Sequence, residues 1–200
     1  MSDQAVRDEI AFIRGAIEAG RGYAAARSGD LMVWGIAVAV AYFGTYAYAY
    51  GWTSIAPDWV WAVCIVGPWI YSLRRVGGRL LGGGSAAPPR STLSMALAMT
   101  WLGCGIFLTV LAATTQIVGG MTPRWFAAVS AGVMGIGFFV SSFLCNLPWM
   151  RLVAIAWWAG EVALYALRDQ REALLLGGVM MLLLLAVPGV VLLRRRPETT

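Results

Sequence analysis

The sequence contains no histidine and no lysine, and only 12% of its 200 residues are charged. An ordinary soluble domain has about 25% charged residues, so this chain has too few charges to cover a water-facing surface. Without histidine the chain has no imidazole base and no histidine ligand for a haem or a metal ion. The three cysteines, Cys64, Cys104 and Cys145, lie far apart in apolar segments. We interpret them as small apolar side chains rather than metal or redox ligands.

Catalytic motifs are also missing from the sequence. There is no GxSxG, no HExxH, no paired carboxylates and no acidic motif that would hold Mg²⁺. Glycines 82–84 precede Ser85 without the Gly-Lys-Ser/Thr ending of a phosphate-binding loop, so we expect a flexible linker there. The sequence therefore predicts a protein that is not an enzyme, with no catalytic residues, no cofactor and no metal site.

Apolar sequence is what the chain has in excess, since 60% of its residues are hydrophobic and its mean hydropathy is +0.71. A membrane-spanning helix needs about 20 apolar residues, because lipid leaves every backbone amide to be satisfied within the helix. Six segments meet this requirement: 31–50, 57–73, 92–115, 125–145, 149–167 and 173–193. The second is the shortest and contains Pro68, which can kink a helix. The predicted fold is an all-α, polytopic membrane helix bundle with six transmembrane helices in residues 31–193, followed by a basic tail, 194–200.

All fifteen cationic residues are arginines, and their distribution predicts the orientation of the bundle. If the N-terminus is cytoplasmic, twelve arginines lie on the cytoplasmic side and three, Arg124, Arg168 and Arg171, on the other. This distribution obeys the positive-inside rule. We therefore expect a bacterial inner-membrane protein with both termini in the cytoplasm. The net charge of +5 is then a topology signal and does not indicate nucleic-acid binding.

Residues 1–30 have the pattern of an amphipathic helix. Apolar and small residues recur at helical spacing on one face, at Val6, Ile10, Ile13, Ile17, Gly20 and Ala24. Arg7, Arg14 and Arg21 repeat every seven residues beside that face. Such a helix could lie in the cytoplasmic headgroup layer or pair with a partner helix. Because Gly20 and Ala24 would make a poor coiled-coil seam, we favour the headgroup layer.

Glu161 is the ionisable residue that falls well inside a predicted membrane span, about 5 Å past its midpoint by helical rise. An intramembrane carboxylate is costly and marks a candidate functional site. Trp157 and Trp158 lie one turn before it and Tyr165 one turn after, an arrangement suited to a lipophilic cation or a proton. The alternatives are that Glu161 is protonated, or lies nearer the outer headgroups and Arg168. A further alternative is a hydrogen bond to a hydroxyl group such as Thr100, Thr109 or Tyr46.

Other features have structural interpretations. Arg151 lies at the start of a predicted helix, where its side chain can extend into cytoplasmic water. Small residues at Ala128, Gly132 and Gly135 predict close helix packing, either within the chain or in a homodimer. A stripe of tyrosines at positions 42, 46 and 50 follows one helix face and could either anchor the bundle in the interface or line a ligand cavity.

Three sequence segments resemble a broad group of uncharacterised bacterial six-transmembrane-helix proteins with a short amphipathic leader. They are DEIAFIRGAIEAG at 8–20, AWWAGEV at 156–162 and AVPGVVLLRRR at 186–196. The resemblance implies the fold and the membrane location, together with a regulatory association with cytoplasmic proteins. It supplies no catalytic residues.

Two functions follow as hypotheses. The first is a non-enzymatic interaction or regulatory protein of the inner membrane, whose arginine-rich cytoplasmic segments contact lipid, a cytoplasmic protein or a second copy. The second is a small transporter, or the membrane subunit of one, that handles a cation or a proton through Glu161 with Trp157, Trp158 and Tyr165.

Overall fold

The computed structural model describes residues 28–81, 92–118, 123–167 and 169–194, with a few isolated positions before residue 28. Apart from those isolated positions and residues 28–30, the predicted amphipathic leader lies outside the described residues, as do the glycine linker at 82–84 and the tail after Arg194. Within these ranges the chain forms six helices and no strand. They are α1 (Ser28–Ala49), α2 (Pro57–Leu81), α3 (Thr92–Val118), α4 (Pro123–Leu144), α5 (Trp149–Ala166) and α6 (Glu172–Arg194).

The all-helical fold class is confirmed, and each predicted apolar segment corresponds to one of these helices. The helix α2 differs most from its predicted segment, because it continues beyond residue 73 to Leu81. The helix continues through Pro68, Gly77 and Gly78, and the arginines at 74, 75 and 79 beside those glycines are good helix formers. The predicted membrane segment therefore ends at residue 73, where the arginines begin, although the helix itself continues to Leu81.

Two tight turns reverse the chain after α1 and after α4. Gly51 (φ 73°) and Asn146 (φ 49°) adopt the left-handed conformation that ends a helix. After Gly51, the Trp52 N–H donates to the Ala47 carbonyl at 2.9 Å; after Asn146, the Leu147 N–H donates to the Ser142 carbonyl at 3.0 Å. These bonds satisfy carbonyl groups that a helix end would leave without partners. Both turns bring the next helix back antiparallel to its predecessor.

Indole groups connect α1 to α2 and α3 to α4. Trp61 donates its Nε1–H to Thr45 Oγ1 at 3.0 Å, and Trp34 donates to Ser72 Oγ at 3.3 Å. On the other side of the bundle, Trp101 donates to Ser141 Oγ at 3.0 Å. Each bond satisfies a part-buried polar group, and a hydrogen bond of this kind contributes about 1 kcal/mol to stability.

Small residues allow α1 to approach α6 closely along its whole length. A Cβ atom added at Gly35 would lie 2.7 Å from the Ala186 backbone nitrogen, and one at Gly189 would lie 2.8 Å from the Ser28 carbonyl oxygen. At the opposite end of the same interface, Gly177 faces the Tyr42 ring. The two helices therefore pack antiparallel at a separation that a larger side chain would prevent.

The middle of α6 departs from α-helical geometry. Leu182–Ala186 forms a π-helical turn just before Pro188. Proline has no backbone N–H, so the Leu184 carbonyl has no α-helical donor four residues later. Trp157, which is 1% exposed, donates its Nε1–H to that carbonyl at 3.2 Å. The indole of α5 therefore supplies the hydrogen bond that Pro188 removes.

The helices lie in the spatial order α2, α1, α6, α5, α4 and α3, and the pairs α1–α6 and α4–α5 have the most extensive contacts. Since each packed neighbour is antiparallel, chain direction alternates through the described bundle. One end holds Ser28, Arg151 and Arg194 and is called the Arg151 end. The other holds Tyr50, Trp125 and Glu172 and is called the Tyr50 end.

Four helices in the described ranges are long and apolar enough to cross a membrane: Ser28–Ala49, Met95–Thr115, Trp125–Leu144 and Glu172–Arg194. Of the other two helices, α2 carries arginines along its second half and α5 carries both Arg151 and Glu161. The structure is thus compatible with a membrane protein. Helix α3 contacts α4 on one side and exposes Met99, Ile106 and Val110 on the other.

Candidate functional site

Glu161 lies in the interface between α5 and α4. Its carboxylate is directly over Gly132, where an added Cβ atom would lie 2.8 Å from Glu161 Oε2 and 3.1 Å from Oε1. The side chain is partly buried and has neither a hydrogen-bond nor an ion-pair partner among residues 28–81, 92–118, 123–167 and 169–194. Gly132 therefore provides the space that the carboxylate occupies.

A shallow groove of ≈ 260 Å³ opens beside this carboxylate. Its lining is apolar and aromatic except for Glu161 and the tyrosine hydroxyl: Trp125, Ala128, Val129, Glu161, Val162 and Tyr165. The Trp125 and Tyr165 rings meet edge to face with their centroids 4.9 Å apart. The groove runs from Glu161 toward the Tyr50 end, so the Glu161 carboxyl group borders a surface of apolar and aromatic side chains.

The structure divides the four candidate residues between two faces of α5. Glu161, Trp158 and Tyr165 lie on the side of α4. Trp158 donates its Nε1–H to the Gly132 carbonyl at 3.3 Å, and its ring lies 5.4 Å from that of Phe139. Trp157 instead faces α6, where it contacts the π-helical turn. Adjacent residues on a helix point about 100° apart, so the two tryptophans cannot share one face.

Trp125 lines the groove, although the sequence predicted it only as the first residue of a membrane segment. The signal that could have found it is the short turn after α4. That turn fixes an antiparallel register in which Trp125 meets Tyr165, and Gly132 meets Glu161. Positions equally distant from a tight turn are neighbours in an antiparallel helix pair.

Of the three hydroxyl groups considered as partners of Glu161, those of Thr100 and Thr109 are bonded elsewhere, and Tyr46 packs against another tyrosine. Thr100 and Thr109 donate to carbonyls of their own helix, at Ala96 (2.9 Å) and Gly105 (2.8 Å). The Tyr46 ring packs against Tyr50, with the centroids 4.7 Å apart. The side chain of Arg168 lies outside the described residues. The structure therefore does not show the predicted alternative, a hydrogen bond between Glu161 and one of these three hydroxyl groups.

The small residues of α4 act within the chain. Ala128 and Ala131 are buried, and Gly132 and Gly135 lie against Glu161 and Trp158 of α5. Close approach of α4 and α5 depends on these positions. The small-residue motif therefore packs α4 against α5 within the chain, as the intramolecular alternative predicted.

A second polar cluster lies at the Tyr50 end, where α1 ends and α6 begins. The Tyr50 hydroxyl donates to Glu172 Oε1 at 3.0 Å, and this bond raises the pKa of the phenol from 10.0 to about 12. Arg171 donates to the carbonyl oxygen of Ala49, at the end of α1, and its guanidinium lies over the Tyr50 ring. Tyr42, the first residue of the tyrosine stripe, is buried against Trp61. This cluster ties the ends of α1 and α6 together, and the stripe has a packing role.

No protein-family model matches this sequence, and no curated protein or solved structure matches the chain.

Proposed function

We propose that the protein is a six-span inner-membrane protein with both termini in the cytoplasm. The alternating directions of the six described helices support an even number of crossings. Arg74, Arg151 and Arg194 lie at the same end of the bundle, as the positive-inside rule requires of a cytoplasmic end. Helices α2 and α5 would cross with their arginines at that end, where the side chains reach water.

The function that the geometry supports best is the binding of a small lipophilic cation, or of a proton, at Glu161. The observation that carries this proposal is a carboxylate that has no partner among the described residues and lies beside an aromatic groove. A carboxylate inside a bilayer is unfavourable unless a proton or a cation neutralises it. The rings of Trp125 and Tyr165 would stabilise a cation through their negative faces. The protein would therefore act without catalysis, as a small transporter or the membrane subunit of one.

The volume of the groove limits the size of such a ligand. Sites for drug-sized molecules occupy about 300–1,000 Å³, and this groove is smaller at ≈ 260 Å³. We therefore use benzyltrimethylammonium as the probe, because it combines one aromatic ring with a positive charge that does not depend on pH. Neopentylbenzene, which has the same shape without the charge, is the matched control ligand.

The test measures probe binding, and probe-dependent proton flux, with the protein reconstituted in vesicles. We expect Glu161→Gln to weaken binding of the cation by about tenfold or more, equivalent to about 1.4 kcal/mol, while the neutral probe is unaffected. Glu172→Gln removes a carboxylate outside the groove and should leave binding unchanged. Cation binding and proton flux that survive unchanged in Glu161→Gln would contradict the proposal.

An interaction or regulatory function is the second proposal. It is favoured by the outer face of α3, which no other described helix covers and which exposes large apolar side chains. Its other basis, the arginine-rich leader, lies outside the described residues. A partner that co-purifies with the full chain and equally with a chain lacking residues 2–27 would contradict a role for the leader.

A further inference from the structure

Arg151 is held over an aromatic ring at the turn between α4 and α5. It is the third residue of α5, and its guanidinium carbon lies 4.3 Å from the centroid of the Phe143 ring on α4. A cation over the face of an aromatic ring is an attractive arrangement. The side chain therefore lies back over α4 and is only partly exposed.

The guanidinium of Arg151 has hydrogen-bonding capacity that the described residues do not use. Its Nε atom is buried and has no hydrogen-bond partner in the described part of the chain. The acidic residue of the described ranges at this end is Asp30, which is buried at the start of α1. A buried charged donor without an acceptor is unfavourable, and guanidinium groups bind phosphate with two parallel hydrogen bonds.

An apolar track begins at the same place and runs along the outer surface of α4 and α5. Phe143 is 55% exposed and Ile155 is 56% exposed, and the ring of Phe139 meets that of Phe143 with the centroids 5.0 Å apart. Leu152 borders the track next to Arg151 and is 69% exposed. A positive group at one end of an exposed hydrocarbon surface matches the headgroup and the acyl chain of a lipid.

We propose that the turn between α4 and α5 is a binding site for an acidic phospholipid. Arg151 binds the lipid phosphate, and an acyl chain lies along Phe143, Phe139 and Ile155. The acidic class is favoured because the described side chains at the site supply a positive charge and no negative one. The proposal requires the membrane location, but it does not require the cation function of Glu161, which lies on α5 nearer the Tyr50 end.

The test is a lipid titration of the purified full chain, with lipid-bound species counted by native mass spectrometry. We expect the wild type to bind phosphatidylglycerol more tightly than phosphatidylcholine. Arg151→Gln should weaken phosphatidylglycerol binding by about tenfold and abolish the preference. Arg74→Gln removes an exposed arginine at the same end, on α2, and is the matched control that should bind as the wild type does.

Further measurements keep the result interpretable. Arg151→Lys preserves the positive charge but not the planar fork, so it should bind phosphatidylglycerol with intermediate affinity even if Arg151→Gln unfolds. Inorganic phosphate in excess should not displace the lipid, because it lacks the acyl chain. The proposal would be overturned if Arg151→Gln and Arg74→Gln lost phosphatidylglycerol binding equally, or if Arg151→Gln bound it as the wild type does. It would also be overturned if the wild type showed no preference for the acidic lipid, or if inorganic phosphate displaced the lipid.

Discussion

What a single carboxylate in an apolar helix can bind depends on the groups that surround its oxygen atoms. At Glu161 those surroundings come from α4, where the missing side chain of Gly132 leaves room for the carboxylate and Ala128 leaves room for the groove. The sequence identified Glu161 from its position within α5. It could not identify Gly132 as the contact, because that pairing depends on the register between two helices.

Gly132→Ala tests this contact at the residue scale. The added Cβ atom would lie 2.8 Å from Glu161 Oε2, at the free end of a flexible side chain, so we expect the carboxylate to move and the fold to persist. The free energy of unfolding should change by less than about 1 kcal/mol, since alanine also favours the helix. Binding of benzyltrimethylammonium should weaken by about tenfold, measured in vesicles.

Gly67→Ala is the control for that substitution. Gly67 lies within α2, and a Cβ atom added there would meet nothing within 4 Å. It should show the same helix-forming benefit with unchanged binding of the probe. If Gly132→Ala also binds the probe with wild-type affinity, Gly132 does not position the carboxylate.

Among the helices, α6 shows most clearly how one element depends on another. Its sequence predicts an apolar span, yet Pro188 would leave a carbonyl without a donor in the middle of that apolar helix. The π-helical turn Leu182–Ala186 and the indole of Trp157 together accommodate that proline. Trp157 was predicted as a site residue from its distance to Glu161, whereas the structure places it in this interface.

Trp157→Phe is therefore expected to destabilise the bundle. The phenyl ring keeps most of the buried surface but leaves the Leu184 carbonyl without its donor, which costs about 1–3 kcal/mol. Trp158→Phe is the comparison, because the Gly132 carbonyl lies within a regular helix and should lose less. Denaturant unfolding in mixed micelles measures both variants.

A double substitution separates the hydrogen bond from general packing. Pro188→Ala restores a backbone N–H four residues after Leu184, so it should recover part of the stability that Trp157→Phe removes. A double variant that loses stability additively, with no recovery, would show that the indole contributes packing alone.

The whole molecule is organised by alternating helix direction. The described helices place Trp52 and Ile55, both exposed, at the Tyr50 end, and Arg194 at the Arg151 end. If the Arg151 end is cytoplasmic, the turn between α1 and α2 faces the periplasm. The aromatic residues of that turn would then lie in the outer interface, which tryptophan and tyrosine favour.

Cysteine labelling tests this topology. In a chain whose native cysteines are replaced, Ile55→Cys should react with a membrane-impermeant maleimide in intact cells, and Arg194→Cys should react only after the cells are lysed. Ile106→Cys, on the exposed face of α3, should remain unreactive in both because lipid covers it. Labelling of Arg194→Cys from outside would show that the orientation is reversed.

The amino-acid composition and the length of its apolar segments determined the helical fold and the approximate position of each helix. These properties are local, because lipid requires each spanning segment to satisfy its own backbone hydrogen bonds. The tertiary structure decided which surfaces meet: Glu161 with Gly132, Trp157 with Leu184, and Arg151 with Phe143. Those pairings depend on the register set by the turns and on the close approach that small residues permit, neither of which is contained in one segment alone.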